Sequence, residues 1–362
     1  MATEIRLLYD GTYYIDPLVK SVQWSGDVAK PHRTLQIELS NTIDGDEQAI
    51  DIEVGKEIRF YADGVGLFRG VIFEYSVNNN GEAAITAHDE NVYLTKNVDT
   101  RKFVKMTAQA IVKEIGKAYG IPTGDIAATG YVIPKLILRN MTLWDMIVTA
   151  LTETRKQNGR KFVPVASNGK LNLREKKDSA VRWMLEDGVN ITSANRSRSI
   201  EETRTSVKVI GGDDKKPLKA TETDAAMVKQ YGLMQHLEQA ESDLKQSAIT
   251  QLAKQRLKDL AKVDEEVLVE ALGITDVVAG TAVYAFESMT DLVGGFYVNA
   301  DTHTFQSGTH LMEVTLSKTD DLPKLEYEEE PVKKAKAKKK KKKAKDKTNK
   351  AETNSKIGGA KP

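Results

Sequence analysis

The sequence predicts an α+β fold that is mainly β, and three observations carry that expectation. Short runs with apolar residues at every second position, separated by turn dipeptides, fill the first hundred residues and return after about residue 160. Between them, apolar residues recur at helical spacing behind threonine caps. A further helix-like stretch, from about residue 224 to 262, interrupts the second β region. With 362 residues the chain exceeds one ordinary core, so two or three domains are expected.

The first element is "EIRLLYDGTYYID", where Asp10-Gly11 is the dipeptide that a tight hairpin turn selects. "TLQIELS" alternates Leu35, Ile37 and Leu39 with Thr34, Gln36, Glu38 and Ser40, so one face is buried and the other wet. "KEIRFYADG" supplies another strand. In "FRGVIFEYSVNNNGEAAITAHDENVYLTKN", Val71, Phe73, Tyr75 and Val77 share one side, residues 78–81 make the turn, and Ala83, Ile85 and Ala87 return. Five or six short strands with turns this frequent predict a small closed or nearly closed antiparallel barrel over residues 1–100.

The period then changes. Thr107 can cap a helix whose stripe is Ala108, Ile111, Ile115 and Ala118 and which Gly120 ends. Thr142 opens a second, with Asp145 three residues on and Leu143, Ile147, Val148 and Leu151 inward. Residues 101–160 are therefore expected as a helical middle segment. "KFVPVASNGKLNLRE" reads as a hairpin with Asn168-Gly169 at its tip, residues 183–191 as a connector, and "TRTSVKVIGG" as a strand. Leu233, Leu237, Leu244, Leu252 and Leu260 mark the long helix, after which "EEVLVEAL", "TAVYAFE" and "GGFYVNADTHTFQSGTHLMEVTLSK" resume strands. Residues 161–322 are expected as a second β-barrel domain with a helical insertion at 224–262. Two β modules flanking a helical middle suggest an old duplication.

Composition narrows the function classes. The chain contains no cysteine, which removes disulfides, thiolate metal sites and cysteine nucleophiles. Its start lacks a basic segment followed by an apolar one, and no run nears the roughly 18 apolar residues of a membrane span, so a soluble protein made in a cytoplasm is expected. The formal charge of +1 hides a division. From Pro331 onward there are 14 Lys against one Asp and one Glu, giving +12, which leaves 39 basic and 50 acidic groups, or −11, in the rest. Residues 323–362 are expected as a disordered polycationic tail, because a self-repelling segment with little to bury does not fold. Its last 32 residues span at most about 110 Å when extended.

No catalytic, cofactor or metal constellation stands out. "GVGLFRG" has glycines at 64, 66 and 70, misses the dinucleotide fingerprint by one residue and has no helix pattern behind it, so it reads as a turn between strands. His303 and His310 lie on opposite arms of a predicted hairpin as possible neighbours, without a carboxylate ligand nearby for zinc. Asp89, in "HDEN", reads as a side-chain cap on the turn into "NVYL". Lys338, Lys339, Lys340, Lys341, Lys342 and Lys343 form a run able to contact nucleic acid, anionic lipid or an acidic protein, with no aromatic residue for base stacking.

Together, "FRGVIFEYSVNNNGEAAITAHDENVYLTKN", "YGIPTGDIA", "MTLWDMIVTAL", "GKLNLRE" and the closing hairpin sequence resemble the hub proteins of contractile bacteriophage tails and phage-like particles, especially those of Gram-positive defective prophages. The resemblance spans roughly residues 1–320 and rests on Phe68, Gly70, Asp89, Tyr93, Leu94 and Trp144 as structural positions. The lysine tail departs from the family pattern. The resemblance implies two tail-tube-like β-barrels per chain and a non-enzymatic homotrimer in a virion or particle baseplate. The trimer would adapt the sixfold tail tube to a threefold spike, and its tail could reach the tape measure protein or DNA. The rival readings are a peptidoglycan-degrading tail enzyme and a nucleic-acid-binding protein acting through the lysine tail.

Overall fold

In the computed structural model, residues 2–167, 169–176, 181–213, 216–240, 244–319, 322–325 and 327 are described. The lysine run at 338–343, and the expected disorder of the tail around it, lie outside them.

Alternation builds the first sheet from β1 (Ile5–Tyr9), β2 (Tyr13–Tyr14), β3 (Val19–Asp27), β4 (Thr34–Ser40), β5 (Glu57–Ala62), β6 (Val65–Val77) and β7 (Glu82–His88). Asp10 and Gly11 both adopt positive φ in the β1–β2 turn. In β4, Leu35, Ile37 and Leu39 are buried while Gln36 and Glu38 are exposed. β6 departs from its expected face: a bulge at Phe73 turns Phe68, Gly70 and Ile72 inward ahead of it and puts Tyr75 opposite Ile85 after it. Leu7, Leu35, Ile37, Ile58, Phe60, Ile72 and Ile85 are central to this core.

The middle segment holds α1 (Tyr93–Lys96), β8 (Val98–Thr107), α2 (Ala108–Ala118), β9 (Thr123–Ile126), β10 (Val132–Thr142), α3 (Leu143–Asn158), β11 (Lys161–Ser167) and β12 (Lys170–Lys176). The two helices start at their anticipated caps: Thr107 Oγ1 accepts from the Ala110 N–H at 3.3 Å and Thr142 Oγ1 from the Asp145 N–H at 3.0 Å. The segment is not purely helical, because β8 and β10 pair antiparallel beneath the helices. The hairpin of β11 and β12 was expected in the second barrel. Instead β12 pairs in parallel with β9, where the Leu171 N–H donates to Pro122 and Leu173 accepts from Ala127, so the hairpin completes a separate three-stranded sheet.

The remaining elements are β13 (Trp183–Glu186), β14 (Ile191–Ser199), β15 (Ser206–Asp213), β16 (Lys216–Thr223), α4 (Ala225–Tyr231), β17 (Gln235–Gln239), α5 (Gln246–Leu260), β18 (Asp264–Leu272), β19 (Ala282–Glu287), β20 (Leu292–Gln306) and β21 (Thr309–Ser317). Two expectations are corrected here. Residues 183–191, expected as a connector, contain β13, which runs parallel to β19. The continuous helix over 224–262 is two helices separated by β17, since Gly232, at φ +88°, leaves the helical path. Leu233 and Leu237 are consequently 67% and 59% exposed rather than lining a stripe. β15, β16 and β17 form a small sheet covered by α5 around Val207, Val209, Ile249 and Ala253.

The expected pair of separate barrels is replaced by one sheet. Among the described residues, 13 strands join in the order β14-β18-β21-β20-β3-β4-β7-β6-β5-β1-β2, with β19 on β20 and β13 on β19; no strand ladder closes either half into a ring, and a single isolated bridge, Asp187 to Ile191, links the end strands of the second half. The link is β20. Residues 292–297 pair with β19, and residues 300–306 pair with β3.

The two halves repeat one plan. β3-β4-β7-β6-β5-β1 and β14-β18-β21-β20-β19-β13 are the same order with the same chain sequence. Bulges recur at matched places, Lys20 with Thr192 and Phe73 with Asn299. The Gly55 N–H donates to the Ile72 carbonyl as the Gly280 N–H does to that of Val298. The first strand differs, β1 being antiparallel to β5 where β13 is parallel to β19.

Candidate functional site

The residues picked out by resemblance gather mostly where β6, β7 and α1 meet. Phe68 is buried in the first core, and Leu94 is fully buried on α1. At Gly70 a Cβ would lie 2.3 Å from the His88 carbonyl oxygen and 2.5 Å from Phe68 Cζ, so only glycine lets these strands and the ring approach. Asp89 is buried and caps the 3-10 turn Glu90–Val92, as its position implies: Oδ1 accepts from the Asn91 N–H at 2.9 Å and Oδ2 from the Arg33 N–H at 2.8 Å. Burial pushes its pKa up to about 7 against the pull of those two N–H groups. Asn91 Nδ2 donates to the Pro31 carbonyl, so this corner pins the loop ahead of β4.

Phe68 and Asp89 also line a cavity of about 410 Å³ with Arg33, Arg59, Arg69 and Glu90. Tyr93 lies outside it, its ring 6.0 Å from that of Phe73. Trp144 is elsewhere, on α3 beside Phe162 in a cavity of about 640 Å³. The glycines of "GVGLFRG" lie in the β5–β6 turn and in β6, with no helix N-terminus behind them.

A second cluster, at the β3–β20 junction, was not anticipated as a unit. Arg33 grips Asp301 with two nitrogens, Nη1 to Oδ1 at 3.0 Å and Nη2 to Oδ2. The Ala279 N–H donates to Oδ1 as well, at 2.7 Å. The guanidinium carbon of Arg33 lies 3.9 Å from the centre of the Trp24 ring, whose other neighbour is His303, centroid to centroid 5.3 Å. His303 and His310 are neighbours, as their predicted hairpin suggested, with His303 Nδ1 2.9 Å from His310 Nε2. His303 Nε2 is 3.0 Å from the Val277 carbonyl, which can only accept. In neutral His303 the proton therefore sits on Nε2, and Nδ1 accepts from His310 Nε2–H. Burial lowers the pKa of both, and His303 adds to the effect on His310, which falls to about 4.

This cluster fastens the junction of β3 and β20. The imidazole nitrogens facing the interior are engaged by each other and by a carbonyl, and Asp301 faces a guanidinium, an amide and His303 Nε2, 3.5 Å from its Oδ2, so a carboxylate does lie beside the histidine pair, against expectation. Among the described residues no group of three or more His, Asp or Glu is arranged to hold a metal ion. Trp24, Arg33 and Asp301 were missed by sequence reasoning. One signal was available: "NADTHTF" puts a carboxylate and an imidazole at inward positions of an alternating strand, where an uncompensated charge would be costly. Its partner lies 268 positions away, beyond any local pattern.

A family model described as YQBQ-like matches residues 22–317. The phage-like element PBSX protein XkdQ of Bacillus subtilis (strain 168) is 32% identical over 314 residues, 86% of this chain and 96% of that protein. Among solved structures, the 43 kDa tail protein of prophage MuSo2 from Shewanella oneidensis is similar with a TM-score of 0.67 at 14% identity, covering 88% of this chain and 100% of that one. A tail protein from Neisseria meningitidis MC58 gives 0.65 at 15% identity, covering 89% and 100%. These two likenesses establish a shared fold.

Proposed function

The chain belongs to the YQBQ-like family, and on that premise we propose that it is the structural hub of a contractile phage or phage-like tail. In this reading three copies form a ring, each supplying two similar β modules, so that six modules meet a sixfold tail tube above while the true threefold symmetry meets a trimeric spike below. The protein is made in the bacterial host cytoplasm, is incorporated in the baseplate, and works by making interfaces instead of by catalysis. Lys338, Lys339, Lys340, Lys341, Lys342 and Lys343 extend the reading: they would contact the tape measure protein or the leading DNA end, weakly per contact and with strong salt dependence.

The observation that carries the reading is the repeated strand order with its two matched bulges. A chain that presents the same module twice can satisfy threefold and sixfold neighbours together, which a single module cannot. Image reconstruction of assembled tails containing the full chain tests it. Three copies arranged as six alike modules between tube and spike are expected. Sixfold density for this chain, or release of fragments from purified peptidoglycan by the chain, would overturn it.

A further inference from the structure

Two edges of the long sheet lack the neighbour that their counterparts in the repeat have, and the repeat says what fits them. β3 has two neighbours, β4 and the second half of β20. Apart from an isolated bridge of Ile191 to Asp187, its counterpart β14 pairs on one side only, with β18, and most of its residues are exposed. β20, past its bulge at Asn299, pairs with β3. Its counterpart β6, past the matching bulge at Phe73, pairs over residues 74–77 with β7 alone, and among the described residues no strand lies on the other side. Each chain therefore contains one completed junction and the two separated sides of another.

We propose that β14 of one copy of this chain pairs antiparallel with residues 74–77 of β6 in the next copy, repeating between chains the β3–β20 junction made within each. The register follows from the one observed. Inside the chain Asp27, Gly26, Ser25 and Trp24 face Ala300, Asp301, Thr302 and His303. Carried across through the matched bulges, Ser199, Arg198, Ser197 and Arg196 face Glu74, Tyr75, Ser76 and Val77. Glu74, Ser76 and Val77 are exposed, as are Ser197, Arg198 and Ser199, so both edges stand open to a partner strand.

The contact joins two different surfaces, so copies add head to tail and a constant rotation closes a ring. An unpaired β14 would otherwise be an open template on the sheet edge. This inference rests on the trimeric reading above and names the strands that make its contact.

The absence of native cysteine permits a direct test. Ser76→Cys and Ser197→Cys introduced together would place two Cβ atoms about 5 Å apart across the junction, near the spacing a disulfide needs. Oxidation of the full chain, in assembled tails and as purified protein, should yield covalent dimers and a covalent trimer without free thiol. A mixture of the two single variants should stop at dimers. The pair Ser76→Cys and Ser193→Cys, four residues out of register, should stay uncrosslinked. A trimer without the Ser76–Ser197 link overturns the junction and leaves the hub reading standing. Crosslinking by Ser197→Cys alone means that β14 pairs with itself, which overturns head-to-tail closure. A chain that is monomeric even in particles overturns both.

Discussion

Arg33 and Asp301 form a two-pronged ion pair in which the carboxylate side chain is fully buried and the guanidinium is 22% exposed. The pair sits where β3 meets β20, so it fastens the first half of the sheet to the second. Buried ion pairs add little net stability compared with apolar packing, but losing one partner strands the other charge.

Arg33→Ala should therefore destabilise the full chain by about 3–5 kcal/mol. The double change Arg33→Met with Asp301→Leu should recover much of that loss. Chemical denaturation of the three proteins side by side is the measurement. A cost below about 1 kcal/mol for Arg33→Ala would mean that the pair fixes nothing.

The histidine pair makes stability depend on pH. Both imidazoles are held neutral in the fold, His310 with a pKa of about 4 against 6.5 for a free side chain. Between those values the unfolded chain binds protons that the folded one refuses. The contribution is complete above about pH 6.5 and is lost as the pH falls toward 4. Asp89 acts in the opposite sense, its contribution complete below about 4 and lost as the pH rises through 7. The comparison is accordingly with His310→Gln, which keeps a donor to His303 without titrating. Its melting temperature should fall less than wild type between pH 6.5 and 4, and parallel curves would refute the assignment.

Gly70→Ala drives a methyl into the His88 carbonyl, and backbone cannot yield as a side-chain tip can. The expected cost is about 1–3 kcal/mol or more. Gly66→Ala is the control, because its Cβ would meet only the Tyr61 ring at 3.4 Å. Equal melting temperatures for the two variants would remove the steric account of this glycine.

Deleting residues 331–362 takes the formal charge from +1 to −11. The melting transition of the remaining chain should be unchanged, while retention on a DNA or polyanion column at low salt should disappear. Retention of the full chain should itself fade near physiological ionic strength, where screening acts over about 8 Å. Equal retention with and without the segment would show that it contacts neither.

What the sequence disclosed was whatever depends on near neighbours. Leu35, Ile37 and Leu39 announce a strand because alternate side chains share a face, and Thr107 and Thr142 announce helix starts because a cap bonds three residues on. Asp89 was readable as a cap for the same reason. The bulge at Phe73 was not, since one extra residue looks like ordinary strand until its partner is known. Nor could leucines spaced like a helix reveal that Gly232 breaks the run and that β17 follows it. The ion pair of Arg33 required knowing that β20 lies beside β3, which is a property of the fold and of no segment.

The partnership of β3 with β20 also sets an order of events during synthesis. A ribosome adds about 5–20 residues per second, so the interval between Arg33 and Asp301 lasts on the order of 15–50 s. Throughout it β3 has β4 beside it and nothing on its other edge. Closing a loop of that length is slow, and an edge left open attracts strands from other nascent chains. Several ribosomes on one message would bring such edges close together, making the half-made protein the form most exposed to mispairing.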